Sequence, residues 1–277
     1  MRKISTLMVS VLCMMMPVGT EAQVPTAFVS KGATDIQAQP HSVTQTNSGA
    51  QLAAIDPMVR SITMDDGLPS NAVRSVVQGS KGYMWFGTDN GLCRFDGYDV
   101  KTYYNPFTTV DQFVSALTAC EEGLLVGCNN GAYLFCNATD RFQKLSDKIT
   151  APVLNFSLDG DQNVWISTNG QGVFRYNRTT HELHQYPMKN IQGKVKSTLV
   201  DANNQVWMLC NHGEASIYYL NKSTDQFEAF PLKGDATMFH GMAMLATPDG
   251  NVYVGTWENG LYKLNADGSA EQLISGT

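Results

Sequence analysis

From residue 59 onward the hydrophobic positions fall into short runs that recur in a fixed order. Near-continuous apolar runs lie at 72–78, 113–120, 153–158, 195–200 and 241–246. Each is followed by a turn and then by an anchor that opens a second run: Trp85, Leu125, Trp165, Trp207 and Tyr253. A third run follows an Asn or Gly turn and ends on Phe95, Phe135, Tyr176, Leu220 or Leu264, and a polar alternating fourth follows, as at 100–104 and 226–230. The anchors stand 40, 40, 42 and 46 residues apart. A period of that size with several short strands per unit predicts an all-β propeller of four-stranded blades, at about 66–105, 111–147, 151–188, 194–232 and 238–275. Near-continuous apolarity predicts a first strand buried on both faces, and alternation predicts a wet outer edge.

The chain before this pattern differs. Arg2 and Lys3 precede an apolar run from Ile4 to Val18, and Thr20 and Ala22 occupy the small-residue positions of a cleavage site, so 1–22 reads as a secretory signal. Residues 23–56, rich in Gln, Ser, Thr, Ala and Pro, read as a flexible polar leader to a repeat region at 57–277. The expected location is exported and periplasmic, with any membrane anchor beyond Thr277. Removing Arg2, Lys3 and Glu21 leaves 17 basic against 24 acidic residues, a net charge near −7 that argues against nucleic acid or anionic lipid as partner.

Aligning the repeats reassigns several reactive-looking residues. Three positions after each anchor stand Thr88, Cys128, Thr168, Cys210 and Thr256, so two cysteines fill a slot for a small side chain. Cys93, Cys120 and Cys136 show no CxxC spacing. Buried thiols are the favoured reading, one disulfide the alternative and metal the least favoured. His181 and His184 form an HxxH on an edge strand, where they would point to opposite faces and lie at the surface. Asn137, Asn177 and Asn221 open N-x-S/T sequons, yet all three follow the third strand, where Asp96 and Asn265 also sit and turn capping explains the recurrence. No metal, cofactor or catalytic residue is expected.

Gly67, Leu68, Pro69, Ser70 and Asn71 open the first unit, Gly82, Trp85, Gly87 and Thr88 stand in its middle, and Gly91, Leu92, Phe95, Asp96 and Gly97 close it. Residues 67–104 thereby resemble the two-component regulator propeller repeat of hybrid sensor kinases. Later units depart from it: Leu125 replaces the Trp, Ser167 and Leu209 replace the Gly, and Gln78 stands where the family often has Asp. The resemblance implies a periplasmic part with two seven-bladed propellers and an immunoglobulin-like domain, followed by a membrane helix, histidine kinase, receiver and DNA-binding domain. It also implies sensing of oligosaccharides, with the rest of a sensor kinase chain as partner, a homodimer as one arrangement, and no kinase activity in this chain. Five units plus a lone strand at 59–64 do not make seven blades. An open arc leaves an unpaired edge, so an incomplete seven-bladed ring is expected rather than a closed five-bladed one.

The turns between second and third strands should ring one mouth of the channel. They carry Asp89 and Asn90, Asn130, Asn211, and Trp257, Glu258 and Asn259. Asn-Gly pairs are themselves hairpin formers. Trp257 has no turn-forming role, and an exposed indole beside Glu258 suits the apolar face and hydroxyls of a sugar. His240, Lys189 and Phe107 are further candidates on the loops between blades. A secreted propeller hydrolase or lyase would need paired carboxylates in the channel, where the first strands offer Arg74, Asn155 and Lys196. A protein-binding propeller is the other alternative.

Overall fold

The computed structural model describes residues 61–108, 111–187, 194–211, 216–232 and 240–275. The expected signal, the polar leader and Lys189 lie outside them. Among the described residues there are five antiparallel four-stranded sheets, each built of strands consecutive in sequence. Blade one is β1 (Val73–Gln78), β2 (Met84–Thr88), β3 (Gly91–Phe95) and β4 (Val100–Tyr103). Blade two is β5 (Val114–Ala119), β6 (Gly123–Cys128), β7 (Gly131–Cys136) and β8 (Arg141–Lys144). Blade three is β9 (Val153–Leu158), β10 (Asn163–Thr168), β11 (Gly172–Asn177) and β12 (Leu183–Tyr186). Blade four is β13 (Lys194–Val200), β14 (Val206–Asn211), β15 (Ile217–Asn221) and β16 (Gln226–Ala229). Blade five is β17 (Gly241–Ala246), β18 (Val252–Thr256), β19 (Leu261–Leu264) and β20 (Ala270–Ile274).

The anchors are equivalent by register. Trp85, Leu125, Trp165, Trp207 and Tyr253 all lie on the second strand, opposite Val77, Thr118, Ser157, Leu199 and Leu245 of the first. Alternation along each strand sends one set of side chains to the preceding blade and the other to the next. Trp85 and Leu92 pack with Val114, Val126 and Phe135 of blade two, whereas Leu125 and Ala132 pack with Val153 and Ile166 of blade three. Two further seams join blades three to four and four to five. The core is therefore a series of seams between blades, and the arc they form is open between blade five and blade one.

A repeated knob and socket sets each seam. A Cβ on Gly87 would lie 2.7 Å from Val114 Cγ1, and one on Gly127 would lie 2.8 Å from Val153 Cγ1. Between blades four and five the sizes are exchanged: Leu209 holds the socket position and Gly241 the knob position, where a Cβ would lie 2.5 Å from Leu209 Cδ1. Gly255 of blade five would meet nothing within 4 Å.

Several expectations are corrected. The first strands are not buried on both faces. No residue of β1 is fully buried, and Val76, Leu154 and Leu245 are exposed. Each first strand is the edge of its sheet, so only one of its edges is paired, and β5, β9, β13 and β17 border a groove open to water. The lone strand at 59–64 is not seen over its described part: Met64–Asp66 is a 3-10 turn with a Thr63–Asp66 capping box and Gly67 at φ 104°. Ile62 and Leu68 instead cover Phe86, Cys93 and Phe95 on the free face of blade one.

The carboxylate before the second strand also sits one residue later than alignment placed it. Asp159 and Asp201 accept from the indole N–H of Trp165 and Trp207 at 2.8 and 2.9 Å, six residues on. The residue six before Trp85 is Gly79, not Gln78.

The Gly241→Val variant is expected to lose about 1–3 kcal/mol by overpacking against Leu209. Combined with Leu209→Gly it should lose less than the two single changes together, by about 1 kcal/mol or more. Urea unfolding of the four proteins measures this, and simple additivity would refute the exchange.

Candidate functional site

The turns between second and third strands do share a face with the segments that lead into the first strands. The Asp89, Asn169 and Trp257 backbone N–H groups donate to the Ala72, Pro152 and His240 carbonyls at 3.1, 2.8 and 3.0 Å. Asn129 Nδ2 donates to Asp111 Oδ2 at 2.6 Å in blade two. These links form because hairpin turns stand directly beside the start of the strand they extend past. They place the candidate residues around the groove mouth, one blade at a time, rather than in a single cleft.

Within that ring the residues differ in what they have free. Trp257 is 49% exposed, with Glu258 and His240 exposed beside it. Asp89 is engaged: Arg74 Nε and Nη2 donate to its two oxygens at 2.6 and 2.8 Å, and the guanidinium lies 5.6 Å from the Phe113 ring. That hydrogen bond raises the Arg74 pKa. Asn90 is exposed and its backbone N–H is taken by Thr88 Oγ1. Asn130 is half-buried, its Oδ1 without a partner among the described residues. Asn211 ends β14 opposite Lys194, and the Asn259 carbonyl accepts from Gln272. Phe107 is 52% exposed and stacks with one face on Tyr133, ring centroids 5.5 Å apart.

The small slot does structural work. Thr88, Thr168 and Thr256 each donate from Oγ1 to the carbonyl of a glycine in the following turn, at 2.9, 2.7 and 2.9 Å. Cys128 and Cys210 occupy the slot as packed thiols, 2% and 1% exposed. Burial raises both from 9.0 to about 12, and Cys93 and Cys120 to about 11. These four and Cys136 are free thiols, so the disulfide alternative is not seen among the described residues. The histidine pair is corrected in detail. His181 lies before β12 at φ 61°, bonded through Nδ1 to the Tyr176 hydroxyl, and only His184 is on the strand. Turn capping holds at Asp96, Asn177 and Asn221, but the Asn137 Oδ1 is buried without a partner.

Behind the mouth, β5, β9, β13 and β17 border a groove of about 540 Å³. Its floor is tied across the seam of blades three and four. Asn155 Oδ1 accepts from the Thr198 N–H and Oγ1 at 2.9 and 3.1 Å, and Ser157 Oγ donates to the Thr198 carbonyl at 2.7 Å. Asn155 is thus a stitch rather than a free ligand group. Lys196 keeps its ammonium at the groove, where Nζ contacts Met242 Sδ at 3.0 Å and desolvation lowers its pKa. Composition could flag Lys196, but the neighbours that matter to it come from another blade. The groove lining contains no Asp, Glu or His, and no cluster of metal-ligating side chains occurs among the described residues.

Stacked, open-ended four-stranded sheets around a groove define a β-propeller. Residues 67–90, which span β1 and β2 of blade one, match the family model described as two component regulator propeller. No curated protein matches the sequence. Among solved structures the chain is similar to the extracellular domain of the putative hybrid two component system BT3049 from B. thetaiotaomicron. Identity is 18% and TM-score 0.65, over 78% of this chain and 32% of that one. The corresponding domain of BT4673 from B. thetaiotaomicron gives 20% and 0.63, over 74% and 28%. Virginiamycin B lyase from Staphylococcus aureus gives 16% and 0.60, over 74% and 71%. These likenesses establish the fold, and the chain spans less than a third of the two sensor domains. Among the described residues no helix is long and apolar enough to cross a membrane.

Cys136 is the exception among the thiols. Hydrogen bonds led by that from Thr139 lower its pKa. Iodoacetamide at pH 8 is expected to label Cys136 in the folded protein and to spare Cys93, Cys120, Cys128 and Cys210, as read by peptide mass spectrometry. The four raised thiols stabilise the fold fully below pH 9 and lose that contribution as pH rises through about 11 to 12, because the unfolded chain ionises first. Labelling of Cys128 or Cys210 at pH 8 without unfolding would contradict their burial.

Proposed function

We propose that this propeller is the exported ligand-reading part of a two-component sensor, that its ligand is an oligosaccharide received at the groove mouth, and that it signals to a kinase carried elsewhere. The observation that carries the reading is the exposed Trp257 indole, tied through its backbone to His240 and flanked by Glu258, at the mouth of a propeller whose first blade carries the match to the two component regulator model. Sugar C–H faces pack on indole rings, while carboxylate and imidazole groups take hydroxyls. The lyase likeness is a likeness of fold. In this chain the groove lining supplies no carboxylate or imidazole, and at the mouth the proposed ligand meets Glu258 and His240 without the paired carboxylates that glycoside cleavage uses, which favours binding.

Thermal-shift measurements on the full chain with a panel of oligosaccharides and of candidate proteins test this. A stabilisation of several degrees by an oligosaccharide is expected, falling by more than half in Trp257→Ala, whose loss of one stacked ring should cost about 1–2 kcal/mol of binding. Stabilisation by a protein alone, or new reducing or unsaturated ends released from a polysaccharide and lost on mutation of this chain, would overturn the reading.

A further inference from the structure

The five first strands share an irregularity that alignment of the repeats does not show. In each, two residues of the first strand oppose one of the second: Val73 and Ser75 pair with Thr88 and Gly87, leaving Arg74 unpaired. The same break leaves Ser115, Leu154, Lys196 and Met242 unpaired in blades two to five. A bulge of this kind re-aims its extra side chain out of the sheet's alternation. The residue before the bulge is Val114, Val153, Val195 or Gly241 in the seams and Val73 on the free face of blade one, so the bulge residue itself leaves that packed row. Five side chains, one from each blade, hold equivalent places in their strands, and those of blades three, four and five line the groove.

Their chemistry is uneven. Ser115 is spent on the Val153 carbonyl at 2.6 Å, and Arg74 on Asp89. Leu154, Lys196 and Met242 line the groove. Lys196 has the one formal charge of that lining, and its recorded hydrogen-bond partner is the Met242 thioether, a weak acceptor for a group with three donors. Each of the five ion pairs among the described residues involves other groups. A half-buried ammonium without a carboxylate is costly unless something anionic comes to it. Met242 stands two residues after His240, whose carbonyl holds the Trp257 turn.

We propose that the bulge residues of blades three, four and five form a ligand-reading patch and that Lys196 seats the carboxylate or sulfate of an acidic oligosaccharide, with Leu154 and Met242 receiving its apolar faces. The proposal rests on the oligosaccharide reading above and narrows it to anionic sugars. Arg74 stays locked to Asp89, which leaves Lys196 as the bulge cation open to ligand.

The test is calorimetric titration of the full chain with neutral oligosaccharides and with uronate- or sulfate-bearing ones, repeated on Lys196→Met and, as a control, Lys194→Met. Binding by acidic members only is expected, weakened about tenfold to a hundredfold in Lys196→Met and unchanged in Lys194→Met. Equal binding of neutral sugars, or acidic binding indifferent to Lys196→Met, overturns the proposal and leaves the oligosaccharide reading standing. A second measurement uses inorganic sulfate: acetylation of Lys196, followed by mass spectrometry on the unmutated protein, should slow more than that of Lys194. Protection by sulfate with no sugar bound keeps the anion seat and removes the sugar. No binding and no protection removes both.

Discussion

Everything in this chain depends on the seam between one blade and the next. A four-stranded sheet alone leaves both faces wet, and none of these blades is wide enough to fold back on itself. Stability has to come from stacking, so the side chains that stack are the ones that recur. The knob at the head of each first strand and the socket on the second strand of the preceding blade are matched in size. Where Leu209 fills a socket, Gly241 retreats by the same volume. Because an interior at crystal-like density tolerates neither overlap nor void, such exchanges hold neighbouring blades in one register.

The two free faces of the arc are finished differently. On blade one, Ile62 and Leu68 bury Phe86, Cys93 and Phe95. Ile62 precedes Val73 by eleven residues, the spacing by which Tyr103 precedes Val114, and Tyr103 packs on Phe135 as Ile62 packs near Phe95. The residues before blade one thus repeat the seam role of an outer strand without strand geometry, because the capping box at Thr63 turns the chain first. On blade five no such cover is seen among the described residues. Leu245, Leu273 and Ile274 are 54%, 45% and 61% exposed, and Gly255 faces open space. An apolar sheet face of that kind is a surface that water covers poorly.

What the sequence made legible follows the same division. The period, the anchors and the strand order could be read because seam residues repeat in type, and alternation then assigned them to blades. Burial of the first strands could not be read, since apolar runs look alike whether they face another sheet or an open groove. The carboxylate clip was misplaced by one residue for a related reason. Only the register shows that the indoles of Trp165 and Trp207 reach six residues back. Around the mouth, Trp257 was visible as an indole without a turn role. The capture of Asp89 by Arg74 was not, because the partners stand fifteen residues apart on different elements.

The bulges explain how one architecture can present varied chemistry. Within this single chain, seam positions are nearly uniform: four valines and a compensated glycine stand at the knob. One residue later the types are Arg, Ser, Leu, Lys and Met. A residue paired in the ladder and packed in a seam can change only if its partner changes with it, as Leu209 and Gly241 have. A residue displaced by a bulge has no ladder partner and stands outside the apolar seam row, so its size and charge are less tightly bound to blade stacking. Variation concentrated there costs the fold little and alters what the groove presents. In a repeat protein whose stability is a sum of neighbouring contacts, the positions set outside the packed seam rows are where recognition can be placed.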